Sequence, residues 1–168
     1  MHIDRGALME RVRRIAGELG VKVVDVRVAT HHVEYDLIAK DRKTVEGILH
    51  RIGKIRGLRF LDEEELDPSI WAKQLFNEER FWEFHELLED VWRKAPEPKK
   101  SVLNGLILVA AAFVHLQRGD KESFFRVLGR ALGRLQGFRG EVLGIRVEDV
   151  RRNVEEILGD GRPKVFKI

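Results

Sequence analysis

Apolar positions along the first sixty residues switch between two periods. Leu8, Val12, Ile15 and Leu19 recur at helical spacing, and Gly20 follows as a stop signal. Val24, Val26 and Val28 then alternate with Asp25 and Arg27, and Val33, Tyr35 and Leu37 alternate with Glu34 and Asp36. Both runs have the period of a half-buried strand, with the valines, tyrosine and leucine inward and the charges outward. The short join Thr30-His31-His32 makes the pair a hairpin, without an Asn-Gly or Asp-Gly turn signal. A second helix is expected through Val45, Ile48, Leu49, Ile52 and Ile55, with Gly57 leading into a last strand, Leu58-Arg59-Phe60. The order α-β-β-α-β predicts a truncated ferredoxin-like sandwich over residues 1–62.

After the acidic run Asp62-Glu63-Glu64-Glu65 the strand period disappears. Four like charges repel one another and Pro68 biases Asp67 away from helix, so a linker is placed here. Asp67 and Pro68 then serve as N-cap and first residue of a helix. Helical spacing predicts helices over 68–76, 78–94, 99–117, 121–135 and 147–158. Ala95-Pro96-Glu97-Pro98 and Arg118-Gly119-Asp120 supply the breaks, and the glycine-rich stretch 137–144 reads as the one long loop. Short connections make consecutive helices antiparallel neighbours. The expected fold class is therefore α+β, with a small sandwich domain over 1–62 and an all-helical bundle domain over 66–168.

Composition narrows the function classes. Of 168 residues 43% are hydrophobic and none is cysteine, which removes disulfides and thiolate chemistry. Charged residues reach 35%, with few Asn and Gln, a pattern of proteins from hot environments. The longest apolar run, 102–116, is short for a membrane span and contains Asn104 and His115. No signal peptide is read at Met1-His2-Ile3-Asp4-Arg5, so a cytoplasmic location is expected. Residues 1–60 and 101–168 are net basic and residues 61–100 net acidic, within a net charge of +3. The cluster Arg11, Arg13, Arg14, Lys54, Arg56 and Arg59 lacks stacking aromatics, which favours a solvated face over nucleic-acid contact. His31 and His32, adjacent in a turn, point to opposite sides, which favours surface histidines over a metal pair.

Candidate chemistry concentrates in Phe81-Trp82-Glu83-Phe84-His85-Glu86-Leu87-Leu88-Glu89-Asp90-Val91-Trp92. At i and i+4, His85 and Glu89 share a helix face with Phe81, Leu88 and Trp92. Imidazole and carboxylate in an apolar stripe imply a buried polar network or a metal site. Taking Pro96 as the hairpin apex, Glu89 lies level with Asn104 on the next helix, and His115 with about Asn77 and Glu78. Asn104 and His115 share a face with Leu108 and Ala111 but stand about 16 Å apart along the axis, too far for one metal. No matching acids lie on inward faces of the later helices, so a network pinning helix register is favoured over a metal centre. Phosphate-loop, dinucleotide and nucleophile-elbow motifs are absent. Gly129, Gly133 and Gly137 recur every four residues beside Arg126, Arg130 and Arg134, which predicts close helix packing along a glycine seam with a basic stripe next to it.

Phe76-Asn77, the block 81–92, Asn104-Gly105-Leu106-Ile107 and His115-Leu116-Gln117-Arg118-Gly119 together resemble the signature of domain-of-unknown-function family 309, over about residues 70–158. The resemblance implies a helical bundle and the general description "predicted metal-dependent hydrolase". The family usually carries Gln where Asn104 and Leu108 stand here. The expected function is a noncatalytic binding or assembly module without a cofactor, forming a homo-oligomer through a sheet edge or the glycine seam. The alternative is a metal-dependent hydrolase in which His85 and Glu89 ligate a divalent metal and Glu86 is the general base.

Overall fold

A computed structural model describes residues 4–54 and 67–168. The chain divides into two compact units, Met1–Glu64 and Glu65–Ile168. Among the described residues there are seven helices and two small antiparallel sheets, a mixed but mostly helical architecture.

The first unit begins with α1 (Arg5–Gly17), capped by Asp4, whose carboxylate accepts from the N–H groups of Gly6 and Ala7. It buries Met9, Val12 and Ala16, with Leu8, Ile15 and Leu19 packed at the margin. Strands β1 (Lys22–Val28) and β2 (Val33–Ile38) pair antiparallel as a hairpin, closed by Ala29 N–H on the His32 carbonyl. The inward phase of β1 differs from the expected one. A bulge between Val23 and Asp25 inserts a residue, so Val21 and Val23 are buried, Val24 is 50% exposed, and Val26 returns to the core. Asp25 and Arg27, expected in solvent, are buried.

The reason is an ionic cluster. Arg27 donates to Glu34 at 2.9 Å and to Asp36 at 2.6 and 2.9 Å, and reaches Asp25 at 3.2 Å. Arg5 adds bonds to Asp25 at 2.9 Å and to the Val26 carbonyl at 2.7 Å. Burial alone lowers the guanidinium pKa, yet the bonds and charges of Asp36 and Glu34 outweigh it and hold Arg27 above its ordinary value. Helix α2 (Arg42–Ile52), capped by Asp41, buries Val45 and Ile48 and stops at Gly53, earlier than the expected passage through Ile55. The strand expected at Leu58-Arg59-Phe60, Gly57, and the acidic run lie outside the described residues, and the sheet described here has two strands.

The second unit contains α3 (Pro68–Asn77), α4 (Phe81–Lys94), α5 (Lys99–Gln117), α6 (Lys121–Leu135) and α7 (Val147–Asp160). Asp67 caps α3 ahead of Pro68 and Asp120 caps α6 after Gly119, whose φ is +84°. The expected helix start at 78 fails because Glu79 adopts φ +62° and turns the chain between α3 and α4. The glycine-rich loop contains a hairpin, β3 (Glu141–Val142) with β4 (Ile145–Arg146), whose turn residues Leu143 and Gly144 both have positive φ. One apolar core runs through all five helices, and the segment after α7 adds Phe166, 5.3 Å from Phe76 and 5.7 Å from Phe113. The pair Asn77–Ile168 holds that segment: the Asn77 amide donates to the Ile168 carbonyl at 3.0 Å and accepts from its N–H at 2.8 Å.

Helix α5 is long and apolar enough to cross a membrane by length and composition, a test that mostly buried core helices also pass. Its apolar side chains serve the core, where Leu103, Val109, Ala110, Ala112 and Phe113 are fully enclosed. The glycine seam is elsewhere than expected. A Cβ at Gly129 or Gly133 would meet nothing within 4 Å, whereas one at Gly105 would lie 2.6 Å from Leu135 Cδ2. The close approach of α5 to α6 therefore rests on Gly105.

Candidate functional site

Helix α4 is held at its start by charge. Arg80 forms a bidentate pair with Glu83 at 2.8 and 2.7 Å and reaches Glu78 at 3.2 Å. Behind it, the Gln117 amide donates to the Glu79 carbonyl at 2.8 Å, fixing the corner from α5. Both Gln117 and Glu79 are buried. Sequence reasoning missed this contact, because a Gln at the end of a helix and a Glu before one are ordinary surface residues.

The buried face of α4 is Phe81, Phe84, Leu87 and Leu88. His85 and Glu89 stand on its flank, half-buried, rather than within the apolar stripe. The His85 ring stacks parallel to Trp82, with centroids 5.5 Å apart and planes 5° from parallel. Its Nε2 is 3.8 Å from Glu89 Oε1, beyond hydrogen-bond reach, and its Nδ1 is 3.4 Å from Glu86 Oε1. Glu89 also faces Arg93 at 3.3 Å, so its charge is shared with the next turn. The pair is thus an electrostatic neighbourhood on a helix edge, and the buried hydrogen-bonded network expected here is not what these distances describe.

Asn104 and His115 sit on α5, both half-buried. The Asn104 side chain makes no hydrogen bond among the described residues. His115 forms no hydrogen bond or ion pair with Asn77 or Glu78. Its Nδ1 is 3.5 Å from Asp120 Oδ2, and the Asp120 N–H donates to the His115 carbonyl at 2.9 Å. Asp120 also accepts from the Ser123 N–H at 2.9 Å, and the Ser123 bonds hold its carboxyl below the ordinary carboxylate value. His115 thereby belongs to the α5–α6 turn. Asn77 is engaged with Ile168, and Glu78 with Gln74 and Arg80.

Among the described residues no group of three or more His, Asp or Glu side chains converges as metal ligands would. In the first unit His31 is exposed, while His32 Nε2 lies 3.5 Å from Glu34 Oε1 beside the Arg27 cluster. What the described residues assemble is a polar and aromatic edge along α4, a half-buried stripe along α5 and a row of arginines on α6.

Comparison with known proteins agrees with the sequence resemblance. An uncharacterized protein of Aquifex aeolicus (strain VF5) is 30% identical over 138 residues, covering 79% of this chain. The chain spans 39% of that relative's length. The crystal structure of a conserved hypothetical protein from Thermus thermophilus is 31% identical, covering 52% of this chain and 92% of that one, with a TM-score of 0.47. Residues 71–127 match the family described as domain of unknown function (DUF309), which takes in most of α3, all of α4 and α5 and the first half of α6. This segment, with its His85–Glu89 edge and its α5 stripe, is what the chain shares with DUF309.

Proposed function

We propose that this chain is a noncatalytic binding and assembly module, its helical unit serving as a rigid platform for contact with another chain. The observation that carries this reading is the dispersal of the candidate residues. His85, Glu86 and Glu89 form one edge of α4, the Asn104 side chain stands on α5 without a hydrogen bond among the described residues, and His115 is committed to the α5–α6 turn. Polar groups half-buried without partners on neighbouring helices suit recognition, where another surface completes them.

The alternative is a metal-dependent hydrolase with His85 and Glu89 as ligands and Glu86 as general base. It is favoured by one feature: His85 Nε2 and Glu89 Oε1 lie 3.8 Å apart on adjacent turns, a span one ion can bridge. Elemental analysis of untagged protein, paired with melting curves of wild type, His85→Ala and His85→Gln, separates the two. Under the assembly reading, no stoichiometric zinc, manganese or nickel is found. His85→Ala then lowers stability by about 1 kcal/mol with or without metal, through the lost Trp82 stack, and His85→Gln is milder. A tight stoichiometric metal that stabilises wild type and is lost equally in both variants establishes the hydrolase instead.

A further inference from the structure

Residues 162–168 lie against the helical unit without forming helix or strand. Gly161 ends α7 in the left-handed region at φ +61°, and Arg162 and Pro163 follow it. Among the described residues, no backbone–backbone hydrogen bond ties 162–168 to the rest of the unit. Phe166 is buried, Pro163, Val165 and Ile168 are half-buried, and Arg162, Lys164 and Lys167 are exposed. A segment held by one buried side chain and no backbone ladder belongs to the low-stability end of a fold. Such segments open without global unfolding.

What holds this segment has the parts of a peptide-recognition site. Asn77, at the end of α3, reads main chain: its amide donates to the Ile168 carbonyl at 3.0 Å and accepts from the Ile168 N–H at 2.8 Å. Both bonds go to the backbone of one residue, so they are indifferent to its side chain. The Lys167 ammonium adds a bond to the Asn77 carbonyl. Side-chain selection falls to Phe166, which packs on Phe76 and Phe113 at 5.3 and 5.7 Å. Those two rings are positioned by others. Phe76 meets Phe81 at 5.1 Å and Phe84 at 5.3 Å, while Phe113 stacks on Phe81 at 4.6 Å and meets Phe124 at 5.4 Å. The floor under Phe166 is therefore built by four helices and persists when the segment leaves. Extended peptides are bound in this way, with main-chain bonds supplying affinity and a preformed apolar pocket supplying specificity.

We propose that residues 162–168 are an exchangeable strap, and that the groove they fill on α3 and α5 accepts the same segment of a second copy of this chain. Segment and groove are identical in both copies, so the Asn77 and Phe166 contacts made within one chain are equally available between two. The hinge is Gly161, where a Cβ would meet nothing within 4 Å, so the turn is free of packing. Lys164, bonded to Glu156 of α7 at 2.7 Å, marks where the strap leaves that helix, and an exposed pair of this kind holds it weakly. A strap tethered through so short a hinge competes at an effective concentration on the order of millimolar, so exchange is favoured in concentrated protein. This device goes beyond the function proposed above, since it holds whether the α4 edge meets a chain or a metal.

The test keeps the full chain and checks each variant for folding by circular dichroism. Phe166→Ala vacates the pocket, and Asn77→Ala removes the clamp. The probe is a fluorescent peptide with the sequence of residues 162–168, followed by anisotropy. Phe166→Ala should bind it, and wild type should bind at least about tenfold more weakly because its own strap competes. Asn77→Ala/Phe166→Ala should also bind at least about tenfold more weakly than Phe166→Ala, and a peptide with Ala in place of Phe should not bind. In sedimentation velocity, an equimolar mixture of Asn77→Ala and Phe166→Ala should associate more than either alone, one chain offering a free strap and the other an empty groove. A folded Phe166→Ala that takes up no peptide, or takes up the Ala peptide equally well, overturns the proposal. Peptide binding without association in the mixture overturns the second copy as occupant. If Phe166→Ala does not fold, wild type decides by hydrogen exchange. The Ile168 N–H, bonded to Asn77, should exchange at least about a hundredfold faster than the amides of α5. Exchange at the rate of α5 means that the segment opens only with the whole unit, and the strap is refuted.

Discussion

Replacing Arg27 by Ala would leave Asp25, Glu34 and Asp36 facing one another inside the first unit, with Arg5 reaching Asp25 alone. Removing one partner of a buried ion pair costs about 3–5 kcal/mol, far more than a surface pair is worth. Arg27→Ala should therefore unfold the first unit or shift its denaturation midpoint strongly at pH 7. The deficit should shrink on acidification, as the stranded carboxylates become protonated. A similar sign argument applies to Asp120. Its folded carboxyl pKa is held below the ordinary value by Ser123, so its contribution to stability is full above the unfolded value of about 3.9. That contribution is lost as pH falls through the lowered folded value. Melting curves of wild type and Asp120→Ala should be separated at pH 6 and converge toward pH 2. At this scale the sequence was a partial guide. Asp120 was readable as a cap because capping is local, two or three residues deep. The Arg27 cluster was not, because its charges alternate along each strand as solvent-facing residues do, and only cross-strand register brings Arg27 opposite Glu34.

Elements whose ends carry a local signal came out where the sequence put them: 99–117 and 121–135 are the observed α5 and α6. The phase of β1 was lost because a bulge leaves the residue types unchanged and shifts which of them face inward. The start of α4 was lost because Glu78, Glu79 and Arg80 are good helix formers, and Gln117, thirty-eight positions from Glu79, sets the turn instead. The His85–Glu89 motif was visible from the sequence, but its place on the flank of α4 was not, since a helix stripe has no sharp edge in sequence. Glycine shows the same division between local and tertiary causes. Gly105→Ala would drive a methyl to 2.6 Å from Leu135 Cδ2, 2.9 Å from its Cγ and 3.2 Å from Arg134 Cβ. Overpacking of this kind costs about 1–3 kcal/mol, so the melting temperature should fall. Gly129→Ala, exposed in mid-helix with nothing within 4 Å, should instead gain about 1 kcal/mol from helix propensity. Opposite signs for the same chemical change would place the α5–α6 contact at Gly105, and like signs would contradict it.

At the scale of the whole molecule, the apolar clusters suggest that the two units differ in self-sufficiency. The helical unit's cluster runs from Ala72 to Phe166 and includes twenty-eight buried apolar residues, five of them fully enclosed phenylalanines or near so: Phe76, Phe81, Phe84, Phe113 and Phe124. Among the described residues the first unit's cluster has seven buried members, Met9, Val12, Ala16, Val21, Val23, Val26 and Ile48, under a two-stranded hairpin. Chains of about sixty residues bury roughly 60% of their unfolded surface, and small sheets leave backbone edges that pair with other chains. We therefore expect cleavage near Glu64 to separate unequal halves. Residues 66–168 should melt cooperatively as a helical fragment, with coincident far-ultraviolet and aromatic transitions. Residues 1–62 should be marginal or self-associating, with the Arg27 cluster adding no net stability that a dry apolar pair would not. A fragment 1–62 that is monomeric and cooperatively folded at high dilution would show that its ionic cluster and seven-residue core suffice alone. A fragment 66–168 lacking a cooperative transition would show that the helical platform depends on the rest of the chain.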